Sequence, residues 1–373
     1  MIDWSKWATE PDDNNRNEYP TIIDIIEDII REEDSRVSDK YPLLHNRTPL
    51  SLMERPGRYF IMSPTGDNNN VELLPVSKSR MTFYRGQNAY HSPCKPSLFR
   101  DESETSRNVL ISSLQIAELY CCLRKHPVIW DIMQTRLNFQ NKIFNVPIPI
   151  HFEGLAQHYG IKTSCLDITS DKWVAAFFAT TVNENDEYIP VDTNNGNHPK
   201  HGVFYRYPWM MPDGSIRRGE IHAIGLQYFN RPGRQSALVV NLNENDDFDK
   251  IEGVEKIFFR HDNKATKLIY DLSQQGRRFF PQDSLASIIK EFVKGTAFSK
   301  EAVLTCNETD FPFVPHDAFI QWVKGNKLTI MDEPQLVFDS KEVQQEYDYW
   351  IKEGKQRFLD RIYTLPVLRL PIS

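Results

Sequence analysis

The chain has 373 residues, 40% of them apolar and 25% charged, with a formal net charge of -7 and a pI near 5.9. That length buries about three quarters of the unfolded surface and accommodates two or three domains, while the acidic balance implies no general affinity for polyanions and leaves room for a local basic groove. The cysteines, Cys94, Cys121, Cys122, Cys165 and Cys306, are odd in number and lack CxxC spacing, which argues against a disulfide framework or a structural zinc site, so no metal is expected.

The opening "MIDWSKWATEPDDNN" has no basic region followed by an apolar run, and no stretch approaches the roughly 20 apolar residues of a membrane span. A cytoplasmic protein without a membrane partner is expected. "YPTIIDIIEDIIREEDSR" (19–36) repeats apolar residues at helical spacing and predicts an amphipathic surface helix. "TGDNNN" (65–70) reads as a turn or exposed loop, and "MTFYRGQ" (81–87) as a short strand ending in an Arg-Gly pair. Residues 108–133 read as helix interrupted at Pro127, and "FEGLAQHYG" (152–160) as a short helix stopped by Gly160.

"IKTSCLDIT" (161–169) has the β-branched content and rough period of two of a strand, with Thr163, Cys165, Asp167 and Thr169 on one face. Ser170 or Thr169 is expected to cap the following helix, with Asp171 in its first turn. Residues 182–201 read as a loop, and "GVFYRYPW", "HAIGLQYF" and "SALVVNL" as strands. After residue 246 the pattern is mixed and then mainly helical.

Three groups of polar residues stand out in this apolar frame. Asp167, if buried, needs donors: either local amides that tie the strand in place, or a histidine or arginine that it orients at a site. His158 reads as a satisfied core histidine or as part of that site, and Thr163 as a strand hydroxyl or the floor of a pocket. Arg85 ends an apolar strand, where its fork grips a phosphate or pairs with a carboxylate such as Asp167. Gly86 beside it lets a ligand approach the backbone. Arg100 carries the same two readings. Arg231, Arg234 and Gln235 precede a strongly apolar strand, and Arg277 and Arg278 make a small basic spot.

In order and spacing, "FYRGQ…KPSLFR", "HFEGLAQHYGIKTSCLDITSDKWVAAFFA", "FNRPGRQSALV" and "FFPQDSLA" resemble the FRG domain family over roughly residues 78–290. Tyr84-Arg85-Gly86 stands at the aromatic–Arg–Gly motif that names the family. Gln157, His158, Tyr159, Gly160, Thr163, Leu166, Asp167 and Phe177-Phe178-Ala179 match its central signature, and Arg231 and Gln235 its later one. Ser164 stands where arginine is common, Ile168 where tryptophan is, and Ala237 where glycine is usual.

The resemblance implies an α+β fold with a mixed or split β-sheet core like that of ADP-ribosyltransferases. An N-terminal extension (1–77) and a mainly helical C-terminal region (291–373) would flank the domain at 78–290. It implies an NAD-dependent ADP-ribosyltransferase or NAD glycohydrolase in a bacterial antiphage-defence or toxin-like setting. Tyr84, Arg85, Gly86, Arg100 and Arg231 would bind the dinucleotide, Thr163 or Ser164 would supply the hydroxyl near the ribose, and Gln235 would stand where a glutamate is common. Glutamine is neither a general base nor a charge that stabilises an oxocarbenium-like centre, so the carboxylate falls to Asp167, beside His158, or to Glu153. Two other expectations stand beside this one: a non-catalytic sensor of a nucleotide or other phosphate-bearing molecule, or of nucleic acid, and a protein-interaction module. Protein and nucleic acid are both open as acceptors.

Overall fold

The computed structural model describes residues 2–12, 15–39, 59–62, 72–75, 82–139, 144–148, 150–185, 187–208 and 221–363. The "TGDNNN" turn lies outside these residues. Six strands form the central sheet: β1 (Thr82–Gln87), β2 (Cys165–Thr169), β3 (His201–Pro208), β4 (Ile221–Ala223), β5 (Ala237–Asn241) and β6 (Glu255–Arg260). Their spatial order is β4-β5-β2-β1-β3-β6, antiparallel at every junction. Parallel pairs occur only in small separate sheets, Tyr59–Met62 with Ile362–Tyr363 and Ala297–Ser299 with Thr329–Met331, among the described residues. The result is an α+β fold.

The pleat sorts side chains strictly. Phe83, Ile168, Val203, Tyr205, Tyr207, Leu238 and Phe258 pack on one face, around Phe248. Tyr84, Phe204, Ile257 and Phe259 point the other way, where helices cover them. These are α1 (Ile22–Asp39), which buries Ile22, Ile25, Ile26 and Ile29 as its isoleucine spacing predicts, and α4 (Lys172–Thr180), with α5 (Asn263–Leu272) beside them. Between α1 and α4 in the chain come α2 (Thr105–Leu123) and α3 (Phe152–His158). Pro127 starts a separate helix, Pro127–Gln134, at its first position, where a missing N–H costs nothing. Gly160, at φ 96°, ends α3 in the left-handed conformation.

Local chemistry corrects three readings. Residues 182–201 contain a hairpin, Thr181–Glu184 with Glu187–Pro190, whose weakly apolar sequence masks it. "HAIGLQYF" is extended only through Ala223. The cap of α4 is Asp171 itself, whose side chain accepts from the Trp173 amide, while the Thr169 hydroxyl accepts from the Asp171 amide one step earlier.

The helical C-terminal region shares a core with α2. Leu110, Leu114 and Leu119 pack in one cluster with Phe298, Val303, Phe319 and Val323, so the packing runs on across residues 290 and 291. The buried carboxylate of Glu118 reinforces the joint, accepting from the amides of Ser299 at 2.7 Å and Gln335 at 2.8 Å.

Gly86 sits where α4 crosses β1. A Cβ there would lie 1.9 Å from the Ala175 carbonyl oxygen and 2.7 Å from Ala179 Cβ. Gly86→Ala is therefore expected to cost about 3 kcal/mol or more by forcing strand and helix apart. Gly196→Ala, where nothing lies within 4 Å, should leave the urea midpoint nearly unchanged. Equal midpoints for the two variants would refute this account of Gly86.

Candidate functional site

At the centre of the sheet, β1 and β2 share a single residue pair, Tyr84 with Thr169. On its other side β1 continues through six pairs with β3, and β2 through five with β5. The sheet thus parts just beyond Tyr84, and the next residues, Arg85 and Gly86 on one strand and Ile168 and Asp167 on the other, face a gap. Arg85 bridges it: its Nη1 donates to the backbone carbonyl of Asp167 at 2.6 Å, which leaves the Asp167 carboxylate for other partners. The gap opens as a cleft of about 310 Å³.

Asp167 is held from the helix side. Gln157, on α3, donates its Nε2 to Asp167 Oδ2 at 3.1 Å, while its Oε1 accepts from the Thr163 hydroxyl at 2.8 Å. His158 places Nε2 at 3.4 Å from Asp167 Oδ1, and its Nδ1 lies 3.0 Å from Gln235 Oε1. Gln235 in turn donates to the carbonyl of Phe279 at 3.2 Å. Burial pushes the His158 imidazole below its ordinary 6.5, opposed by the nearby Asp167.

The mouth is electropositive. Arg100 and His91 are both exposed residues lining the cleft with Arg85. Arg100 still gives up water around its charged end, and this desolvation with the neighbouring Arg85 lowers its proton affinity. Partial burial, then Arg100 and Arg85, likewise hold His91 below 6.5. Neither arginine has an ion-pair partner among the described residues, and Arg85 Nε is buried without a hydrogen bond. Phe178 and Tyr188 supply aromatic surface to the same cleft, with Phe280 stacked behind Tyr188 at 4.9 Å between centroids.

The structure brings Tyr84, Arg85, Gly86, Arg100, His158, Asp167 and Gln235 together around one cleft. Thr163, Ser164 and Arg231 are not among its lining. Thr163 is fully buried, donating to Gln157 and accepting from the Cys165 amide. Ser164 donates its hydroxyl and its amide to Glu153 Oε1, which occupies that carboxylate as well. Arg231 lies 4.6 Å over the Tyr159 ring and donates to the His158 carbonyl at 3.1 Å. Sequence reasoning missed His91, Phe178 and Tyr188. Phe178 hides in the apolar run "VAAFFA" and Tyr188 in a stretch with few large apolar residues; the only signal for His91 is its place between Arg85 and Arg100.

Among the described residues no three His, Cys, Asp or Glu side chains are grouped to hold a metal ion, and no helix is long and apolar enough to cross a membrane. Residues 80–188 match the family model of the FRG domain, so the chain carries an FRG domain over that span. No curated protein and no solved structure matches the chain. The matched span holds the Arg85 and Asp167 strands, and Gln235 follows it.

Thr163→Val should orphan Gln157 Oε1 and the Cys165 amide and destabilise the fold by about 2 kcal/mol, read as a shift in urea midpoint. Acid should do more. Burial holds His151, His158, His222 and His261 below 6.5, His261 at about 4. Between those values and 6.5 the unfolded chain binds more protons than the folded one, so stability is full above 6.5 and falls as pH drops. His261 alone contributes about 3 kcal/mol of that loss by about pH 4. Denaturant titrations that show equal stability at pH 7.5 and pH 4.5 would contradict this.

Proposed function

We propose that the cleft binds a nucleotide through its phosphates. The observation that carries this reading is the placement of two arginines without acidic partners, Arg85 and Arg100, on a cleft that also presents Phe178 and Tyr188. Guanidinium forks match phosphate oxygens, and aromatic faces receive a planar base or pyridine ring. At about 310 Å³ the cleft is at the small end of ligand pockets, a fit for one nucleotide-sized part of a dinucleotide such as NAD.

A second reading, cleavage of NAD, is favoured by the Asp167 side chain, which is 40% exposed and fixed by Gln157 beside the arginines. In that reaction the bond from the ribose C1′ to the pyridinium nitrogen breaks, and its electron pair leaves with nicotinamide. A carboxylate next to C1′ stabilises the developing cation, and water or an acceptor hydroxyl completes the transfer and releases a proton. This is the chemistry of an NAD glycohydrolase or ADP-ribosyltransferase. The engagement of both Thr163 and Ser164 within the scaffold favours binding without transfer.

Isothermal titration calorimetry with ADP-ribose, NAD and AMP should detect binding, and Arg100→Gln should weaken it about tenfold or more through the loss of a charge-assisted contact. Arg100 is the residue to change, because Arg85 also braces the parted strands. If no phosphate-bearing ligand binds the folded protein, the reading is wrong. Incubation with NAD, with and without candidate protein or nucleic-acid acceptors, separates the two readings: release of nicotinamide that Asp167→Asn abolishes is the expected mark of cleavage. Ligand binding without release leaves a sensor.

A further inference from the structure

The hydrogen bonds around Asp167 fix where protons sit. The Phe279 carbonyl only accepts, so the amide nitrogen of Gln235 faces it and Gln235 Oε1 is turned to His158. His158 must then carry its proton on Nδ1, an assignment made from the network of partners. A neutral imidazole has one N–H, so Nε2 is a bare lone pair. It lies 3.4 Å from Asp167 Oδ1, and both atoms are buried without a hydrogen-bond partner. Asp167 is locked by the same logic: Thr163 accepts from the Cys165 amide and gives its hydrogen to Gln157 Oε1, which commits Gln157 Nε2 to Asp167 Oδ2.

Two acceptor atoms 3.4 Å apart, both shielded from solvent, lack one proton between them. We propose that the cleft binds its anionic ligand together with one proton, lodged between His158 Nε2 and Asp167 Oδ1, and that Gln235 is the positioning residue that keeps this place open. The proposal rests on the phosphate-binding reading of the cleft.

The surrounding charges give the sign. Arg231 donates to the His158 carbonyl, Arg85 to the Asp167 carbonyl, and Arg100 stands at the mouth, so three cations face the pair from separate segments. The Tyr84 and Tyr188 phenols and the His91 imidazole also line the cleft, and His91, held below 6.5 by burial and then by Arg100 and Arg85, would gain proton affinity from the same phosphate. Without ligand, burial and Arg231 both disfavour the imidazolium. A phosphate on Arg85 and Arg100 offsets positive charge there, so the pair gains affinity for the proton. Reciprocity then makes the ligand bind more tightly as pH falls.

ADP-ribose is a suitable probe, because its pyrophosphate keeps a constant charge around neutral pH. Calorimetry of the 373-residue chain carrying His91→Gln, which removes the other imidazole of the cleft, in buffers of different ionisation enthalpy should show uptake of about one proton per ligand. Affinity should rise by up to about tenfold for each pH unit lowered between about pH 8 and pH 6. Binding with no proton uptake and no pH dependence overturns the inference while leaving the phosphate reading intact. No binding at any pH overturns both.

Nitrogen-15 NMR of ligand-free protein gives an independent arm: His158 should be protonated at Nδ1, and a proton at Nε2 instead overturns the inference whatever binds. Gln235→Met removes the acceptor, so His158 should turn to the Nε2–H form, donate to Asp167 and lose the proton uptake. A purely structural role for Gln235 would change stability without moving the tautomer. If Gln235→Met does not fold, Gln235→Glu keeps an acceptor for Nδ1–H and should raise the His158 pKa; an unchanged value counts against the proposal.

Discussion

The arrangement depends on one place where the central sheet stops being a sheet. Two neighbouring strands at its middle are joined by Tyr84 and Thr169 alone, and beyond them the Asp167 carbonyl is met by a side chain instead of the facing strand. Unpaired buried carbonyls cost on the order of 1–3 kcal/mol, so a parted sheet survives only where side chains take over. Arg85 does this for the Asp167 carbonyl. The same guanidinium keeps its Nε without a partner, so bracing uses only part of the fork. The structural role and the proposed ligand-binding role, set against each other on the sequence, are compatible in one side chain.

Around that gap the side chains are fixed by a chain of mutual commitments. Cys165 amide, Thr163, Gln157 and Asp167 follow one another on one side, and Phe279 carbonyl, Gln235 and His158 on the other. Each amide side chain has one orientation that satisfies both of its ends. Buried networks of this kind resist rearrangement because breaking one link strands the next group. The cleft's side chains are therefore fixed by the fold itself, an organisation that would lower the entropy cost of the proposed binding.

The sequence announced much of this. Isoleucine spacing in α1, the Pro127 break, the Gly160 stop and the alternation of "FYRGQ" and "CLDIT" follow from local periodicity and turn chemistry, and the structure has them. Site residues from three distant segments were legible as one group only through their resemblance to a family pattern, since nothing in the spacing of Arg85, Asp167 and Gln235 says that they meet. Direction was harder to read than identity. Thr163 lies just before β2, where it turns inward to Gln157, and Ser164 turns to Glu153; neither orientation follows from a period of two. The aromatic side of the cleft was invisible because Tyr188 belongs to a hairpin with little apolar patterning.

Gly86 changes what the aromatic–Arg–Gly motif certifies. Its missing side chain makes room for the Ala175 carbonyl of a helix lying across the strand. The glycine thus reports that a helix and a strand are in van der Waals register, a property of architecture. A protein with the same helix crossing would be obliged to keep it, whereas one that exchanged Arg100 or Tyr188 would preserve the motif unblemished and have a different cleft. Sorting such proteins by what they do calls for comparing the rim of the cleft, position by position, and treating the glycine as a mark of common descent in shape.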